Sequence, residues 1–301
     1  MDQTLQDKHR QAWFYAAATV ALWSTVATAF EVALRALTPV QLLAGANLVA
    51  VLALLIICAV RGEVGSAFNV SGRNHLRALG MGLLNPLAYY LVLFAAYDRL
   101  PGQVAQPLNY TWAITLSLLA VPVLGQRLVR GELLAMAIAW CGVLVIATDG
   151  DLTSFTANDG WGVALALGST LIWASYWLIA TRDPRPPIAA LLLNFSYALP
   201  LTLALALALG DGIPDASTSS VVATIWVGLA EMAVSFVFWL LALRKARSAA
   251  AISSLIFLSP FLSLVLLATV AGESIRTATP FGLAFIVIGM LMQQRLRVRA
   301  A

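Results

Sequence analysis

The chain has 301 residues, of which 61% are hydrophobic and only 11% are charged. Soluble domains are about half apolar and about a quarter charged, so this composition excludes a soluble globular protein. The formal net charge of +4 does not indicate a nucleic-acid-binding protein, because the Lys and Arg residues lie in short breaks between apolar runs.

Apolar runs follow one another along the whole chain, separated by charged or Pro- and Gly-rich breaks. Because one bilayer crossing uses about 20 apolar residues, we interpret each run as a membrane helix. The first five predicted helices cover residues 12–35, 40–60, 77–97, 101–124 and 129–148. The second five cover residues 161–181, 187–209, 219–243, 249–271 and 279–296. The sequence therefore predicts an all-α polytopic membrane protein of ten transmembrane helices.

The positive charges predict which side of the membrane each loop faces, since Lys and Arg in short loops resist translocation. With ten helices, fifteen of the 18 Lys and Arg residues fall on the side that holds both chain ends. The exceptions are Arg35, Arg99 and Arg276. We therefore expect a multi-pass protein of the cell inner membrane with both termini in the cytoplasm.

The two halves of the chain, residues 1–150 and 155–301, share one hydropathy plan of five helices each. Leu116-Ser117-Leu118 in the first half matches Leu262-Ser263-Leu264 in the second. Because five crossings are an odd number, the second copy enters the membrane from the opposite face, which predicts an inverted repeat. Inverted repeats suit a site that opens to each side in turn, so this plan favours a transporter.

Polar and aromatic residues recur on related helix faces in both halves, which predicts one shared cavity. In the third helix Asn85 and Tyr89 lie one turn apart, with Tyr90 beside them. In the eighth helix Glu231 and Ser235 repeat this spacing, and Trp239 continues the stripe. The other predicted lining residues are Trp23 in the first helix, Gln106, Asn109, Tyr110 and Trp112 in the fourth, and Trp173 and Trp177 in the sixth. The alternative for each is a role in helix packing.

Glu231 is the one acidic residue predicted near the middle of a crossing. A carboxylate there costs about 2.5 kcal/mol or more on insertion scales, so it needs a compensating role. We hypothesise that it binds a substrate ammonium group or exchanges protons, the alternative being a hydrogen-bonded carboxyl between helices. No Lys or Arg is predicted at this depth, which argues against phosphate-bearing or strongly anionic substrates.

Prolines interrupt several predicted helices, and we expect kinks at Pro86, Pro107 and Pro260 that act as hinges or give fixed curvature. Small residues in the fifth and tenth helices predict close packing or a dimer contact; they are Ala135, Ala139, Gly142, Gly282 and Gly289. The sequence has no cluster of side chains with metal-ligand spacing and no catalytic constellation. We therefore expect no metal, no cofactor and no enzyme activity.

Two helical halves with short loops and these polar stripes resemble the drug/metabolite transporter superfamily, in particular its ten-helix exporters with paired EamA domains. Gly125-Gln126 and Gly272-Glu273, which follow the Pro-containing fourth and ninth helices, look like the ends of the two EamA units. Gln126 departs from the acidic residue often found at that place. The resemblance implies a central cavity and alternating access.

Within that superfamily, Trp23-Ser24 and the Asn109-Tyr110-Thr111-Trp112 run look most like exporters of aromatic amino acids. The expectation is therefore an exporter of amino acids, preferentially aromatic or large neutral ones, and of related metabolites. The alternative is an exporter of amphipathic organic cations or drugs, proton-coupled through Glu231. A small-molecule substrate and the lipid bilayer are the expected partners, and the oligomeric state is left open, with a monomer as the simplest case.

Overall fold

The computed structural model describes residues 3–124, 130–151, 157–180, 183–212, 216–245 and 254–300. The first half contains α1 (Gln3–Leu34), α2 (Pro39–Val60), α3 (Val64–Phe68), α4 (Gly72–Gly82), α5 (Tyr89–Tyr97), α6 (Gly102–Tyr110), α7 (Trp112–Leu124) and α8 (Arg130–Ala147). The second half contains α9 (Ala157–Ala180), α10 (Pro187–Leu209), α11 (Thr218–Trp226), α12 (Val234–Lys245), α13 (Ser259–Thr269) and α14 (Ala278–Ala300). These ranges contain no strand, so the all-α prediction is confirmed for the described residues.

Seven helical stretches of the described residues are long and apolar enough to cross a membrane. They are Arg10–Leu34, Pro39–Val60, Gly72–Tyr97, Arg130–Ala147, Gly160–Ala180, Pro187–Leu209 and Thr218–Ala242. These coincide with seven of the ten predicted helices, and the chain is a multi-pass membrane protein. The fourth predicted helix is divided at Thr111, the ninth is a shorter apolar helix where described, and the tenth is α14. These three remain predictions as crossings.

Local sequence signals determine where α2 begins. The Gln41 N–H donates to Thr38 Oγ1 at 3.4 Å, and the Thr38 N–H donates to Gln41 Oε1 at 2.9 Å, which forms a capping box. Pro39 occupies the first turn, where its missing N–H removes no helical hydrogen bond. The Gln41 side chain also donates to the Gly210 carbonyl, which joins the start of α2 to the end of α10.

Two long rods contain a π-helical turn at matching places. Leu83–Ala88 joins α4 to α5, forming the α4–α5 rod, and Val227–Ala233 joins α11 to α12, forming the α11–α12 rod. Asn85 has the non-helical angles φ −148° and ψ 119° directly before Pro86, so the backbone departs from the helix where the sequence predicted a kink. The π turns place Asn85 and Glu231 in corresponding segments of the two halves.

The other two prolines predicted to kink helices lie in different settings. α6 continues past Pro107 to Tyr110 and ends at Thr111. Pro260 lies in the first turn of α13, directly after a 3-10 helix over Ser254–Leu258. Because a first-turn proline interrupts no helical hydrogen bond, Pro260 begins an α-helix here instead of bending one.

The packing between the two halves follows an exchange pattern, in which each contact between helices of different halves recurs when the two halves are interchanged. α1 packs against the α11–α12 rod and α13, and α9 packs in the same way against the α4–α5 rod, α6 and α7. α2 pairs with α10, and α8 pairs with α14. The contacts across the two halves therefore have counterparts when the halves are exchanged. They place α1, α9 and the two rods around the centre of the molecule.

The small residues of α8 and α14 explain their close contact. A Cβ added at Gly289 would come within 2.8 Å of the Ala139 Cβ, and one added at Gly142 would meet the Gly282 carbonyl. Only glycine lets the two backbones approach this closely. The predicted close packing is confirmed, and these faces cover each other within one chain.

Candidate functional site

A cavity lies at the centre of the molecule, between the two halves. The predicted residues that line it are Trp23, Tyr89, Gln106, Asn109, Tyr110, Trp112, Trp173 and Glu231. They come from α1, α5, α6, α7, α9 and the second π turn, so the cavity is assembled from both halves of the chain. We call it the central cavity.

Glu231 is the acidic residue of the central cavity and is only 7% exposed. Its Oε1 atom accepts a hydrogen bond of 3.0 Å from the hydroxyl of Tyr90, which is completely buried. Among the described residues, no Lys or Arg lies within ion-pair distance of this carboxyl group. Tyr90 thus supports Glu231 from behind, and the carboxyl group retains acceptor capacity towards the cavity.

A chain of hydrogen bonds fixes the polar wall contributed by α6. The Tyr89 hydroxyl donates to Asn109 Oδ1 at 3.2 Å, and Asn109 Nδ2 donates to Ser169 Oγ of α9 at 2.8 Å. The Tyr110 hydroxyl donates to Ser259 Oγ of α13 at 2.7 Å. Because each bond joins different helices, the orientation of these side chains depends on how the two halves meet.

Gln106 differs from its neighbours because its amide is unpaired. It lines the central cavity and is 2% exposed, yet neither Nε2 nor Oε1 has a hydrogen-bond partner among the described residues. A buried amide without partners is costly, so such groups are normally satisfied by water or a ligand. Gln106 therefore offers one donor group and one acceptor to a molecule in the cavity.

Aromatic rings form another wall of the central cavity. The centroids of the Trp173 and Tyr89 rings are 4.5 Å apart, with an angle of 30° between the planes. The centroid of the Phe236 ring, which does not line the cavity, is 5.5 Å from that of Trp173. Trp and Tyr faces provide large apolar contact area for flat or aromatic groups.

Five predicted lining residues do not reach the central cavity. Ser235 and Trp239 lie behind Trp23: Trp23 Nε1 donates to Ser235 Oγ at 3.0 Å, and the Trp23 and Trp239 ring centroids are 5.6 Å apart. Tyr90 lies behind Glu231, as described above. These three side chains contact lining residues instead of lining the cavity themselves, and their role in substrate binding stays a prediction.

Asn85 and Trp177 are the remaining two. Asn85 is fully buried and is not among the residues that line the central cavity. Trp177 lines a second cavity at the end of α9. The kink before Pro86 turns Asn85 out of the face that it would share with Tyr89 in a regular helix.

Several lining residues were missed by the sequence analysis, and all of them have large side chains that resemble packing residues. They are Val26, Phe30, Leu93, Tyr97 and Ile256. A signal existed for most of them. Val26 and Phe30 follow Trp23 at steps of three and four, and Leu93 and Tyr97 follow Tyr89 at steps of four, which places them on the same helix faces.

The two glycine-containing pairs singled out in the sequence differ in how far the structure describes them. Gly125-Gln126 lies outside the described residues. Gly272 has a positive φ of +71°, and Glu273 Oε1 accepts a hydrogen bond of 3.2 Å from the Gln103 N–H at the start of α6. A carboxylate stabilises a helix N-terminus, so Glu273 ties the end of α13 to α6.

Matching helix contacts in two halves, around a buried cavity with polar and aromatic walls, define a membrane protein that carries small molecules. The model of the EamA-like transporter family matches residues 11–148 and 160–293. Both matches continue past Gly125-Gln126 and Gly272-Glu273, so the expectation that these pairs end the two units is wrong. These stretches cover most of the chain, which belongs to the EamA-like transporter family. Its substrate is accordingly a small molecule, and its working environment is the lipid bilayer.

Individual relatives are more distant. The chain is 24% identical over 223 residues to Protein PecM of Dickeya dadantii (strain 3937), and the match covers 72% of this chain and 73% of PecM. One solved crystal structure has a TM-score of 0.70 and 20% identity, and the match covers 97% of this chain and 99% of that one. At this identity the structural likeness shows a shared fold alone.

Proposed function

We propose that this protein exports amino acids with aromatic or large neutral side chains, and related metabolites, by alternating access through the central cavity. The observation that carries the proposal is that Glu231 and the Gln106 amide, which has no hydrogen-bond partner among the described residues, both line one cavity with aromatic walls. A carboxylate acceptor suits a substrate ammonium group, and an amide N–H suits a carboxylate. The two together complement a zwitterionic head.

The aromatic preference is the finer part of the proposal. Trp173, Tyr89, Tyr110 and Trp112 surround the space in which the substrate side chain would lie. The Trp23-Ser24 segment and the Asn109 to Trp112 run also resemble the aromatic amino acid exporter YddG. An aromatic side chain would gain ring contacts of about 0.5–1.5 kcal/mol per pair beyond the area that it buries.

The membrane arrangement belongs to the same proposal. We place ten crossings in the inner membrane, with both termini in the cytoplasm and with residues 1–150 and 155–301 as two inverted five-helix repeats. The exchange pattern of helix contacts and the distribution of Lys and Arg support it. Labelling of single cysteines at position 2 and position 300 from each side of sealed cells tests it, and opposite sides for the two ends would overturn it.

Pro86 is the strongest hinge candidate, because the backbone departs from the helix there. Pro107 lies in the last turn of α6, and Pro260 is the second residue of α13. We propose that the three prolines and the π turns provide the places where the two halves bend between states.

Counterflow in liposomes tests the proposal. Purified protein is reconstituted with unlabelled tryptophan or phenylalanine inside, and uptake of the labelled amino acid is followed. We expect exchange by the wild type and a strong loss in Trp173→Ala and in Glu231→Gln. Exchange at the wild-type rate in both variants would show that these residues do not form the substrate site.

A second function is favoured by one observation, the lack of a basic partner for Glu231 among the described residues. A buried carboxylate among aromatic faces also suits a flat organic cation, through charge and cation–π contacts. This rival predicts that organic cations compete with amino-acid exchange and that Glu231→Gln abolishes cation flux. A pH gradient across the liposomes would separate proton-coupled export from downhill flux.

A further inference from the structure

A second cavity lies where α9 ends and α10 begins, on the side that the proposed topology places in the cytoplasm. We call it the lower cavity. Trp177 lines it, and the Trp177 ring is 5.6 Å from the ring of Trp173, which lines the central cavity. Trp173 and Trp177 are one helical turn apart on α9, and their rings lie between the two cavities.

The lower cavity contains a buried arginine, Arg185, which is only 7% exposed. Its Nη2 atom donates to Asp183 Oδ2 at 2.6 Å and to Asn194 Oδ1 at 3.0 Å, and its Nε atom donates to Asp183 Oδ1 at 3.0 Å. Its Nη1 atom is buried and has no hydrogen-bond partner among the described residues. A buried N–H donor of a charged group destabilises the protein when it has no acceptor, so a ligand acceptor at Nη1 would be favourable.

The charges around the lower cavity favour an anion. Asp183 is the one acidic residue among its described lining residues, and it is shared between Arg185 and Arg77, whose Nη1 atom lies 3.9 Å from Asp183 Oδ1. Two guanidinium groups facing one carboxylate leave an excess of one positive charge. The Arg77 side chain is 35% exposed and does not line the lower cavity, whereas the side chains of Arg185 and Asp183 are only 5% and 9% exposed. Charge interactions between such buried groups are stronger than in water.

The remaining walls are suited to an apolar body. Tyr176, Trp177, Met81 and Leu240 line the space next to Arg185. We infer that the lower cavity binds the carboxylate of an amphipathic acid or amino acid, with Arg185 Nη1 as the donor and the aromatic wall receiving the apolar part. This inference rests on the proposed function, because it makes the lower cavity the place where substrate is first held before it passes Trp177 to the central cavity.

Equilibrium binding to the full-length protein in detergent tests the inference. Labelled phenylacetate is the probe, and phenylacetamide, which has the same ring without the charge, is the competitor that should fail. Arg185→Gln should weaken phenylacetate binding about tenfold or more, because the variant loses the charge-assisted hydrogen bond from the guanidinium group. Arg73→Gln, which removes the same charge from an exposed position on α4, should leave binding unchanged.

A second variant gives a result of opposite sign. Asp183→Asn releases Arg185 from its carboxylate partner, so phenylacetate should bind more tightly than to the wild type. This variant decides the matter if Arg185→Gln does not fold. Unchanged or weaker binding in Asp183→Asn, equal binding of phenylacetamide, or tighter binding of phenylphosphate than of phenylacetate would each overturn the inference.

The two proposals fail differently. If the wild type shows no amino-acid counterflow but binds phenylacetate through Arg185, the carboxylate site stands and the proposed substrate is wrong. If counterflow occurs and Arg185→Gln changes neither phenylacetate binding nor the KM for amino acids, the lower cavity has no such role.

Discussion

The Tyr90 hydroxyl donates a hydrogen bond of 3.0 Å to Glu231 Oε1, and this bond joins the π-turn regions of the two halves of the chain. Glu231 belongs to the second π turn, and Tyr90 follows the first. The bond therefore links the segments whose backbone is least regular, at the wall of the central cavity. Any movement of one half against the other changes this contact.

Removal of the Tyr90 hydroxyl should impair transport without changing the shape of the cavity wall. In Tyr90→Phe the ring remains and Glu231 loses its hydrogen-bond donor, so we expect the counterflow rate to fall about tenfold, as for the loss of one hydrogen bond to a charged group. Initial rates over a range of substrate concentrations measure this. Tyr197→Phe, which removes the hydroxyl bonded to His75 outside the cavity, is the control. Equal rates in the two variants would contradict the role of the Tyr90 bond.

The bond from Trp23 to Ser235 should contribute to stability. Ser235→Ala leaves the buried Trp23 N–H without its acceptor, so the free energy of unfolding should fall by about 1–3 kcal/mol. Equilibrium unfolding in mixed detergent micelles measures the difference. Thr269→Ala is a matched control, because the Thr269 hydroxyl is exposed and bonds only within its own helix. A loss no larger than in the control would show that the indole N–H finds another partner.

The contact between α8 and α14 should not tolerate a larger residue. Gly289→Val would drive a side chain into Ala135 and Ala139, and we expect a loss of about 1–3 kcal/mol from overpacking. Gly168→Val is the control, because a Cβ added at Gly168 would meet no heavy atom within 4 Å apart from its chain neighbours and its own helix backbone. Thermal unfolding of both variants in detergent compares them. Similar midpoints would mean that the two helices separate easily.

Low pH should weaken the ion pair between Asp183 and Arg185. Burial alone would raise the pKa of the Asp183 carboxyl, but hydrogen bonds from Arg185 and the charges of Arg185 and Arg77 outweigh it and lower the pKa. A lowered pKa means that the stabilisation is present above the ordinary pKa of aspartate, about 3.9, and is lost as pH falls through the folded-state value. The midpoint temperature of thermal unfolding should therefore fall more steeply between about pH 6 and about pH 3 in the wild type than in Asp183→Asn. Parallel curves would contradict this.

Helix-face spacing located much of the central cavity from sequence alone. Tyr89, Asn109 and Trp173 line it as predicted, and the same spacing also points to Phe30 and Tyr97, which lie on those faces. The spacing failed where the backbone leaves the regular helix. Asn85 shares a face with Tyr89 only if the turn between them is α-helical, and the kink before Pro86 removes that condition.

The amino-acid sequence by itself determined that this chain is a helical membrane protein and where seven of its apolar helices lie. It also identified Glu231 as the acidic residue near the middle of a predicted crossing. It could do so because hydrocarbon demands long apolar runs and penalises every charge within them. Only the tertiary structure decided that Tyr90 supports Glu231, that Gln106 is left unpaired and that Arg185, an ordinary loop arginine by sequence, is buried with a free donor. These facts depend on the rotation and contact of helices far apart in the chain, which local periodicity does not specify.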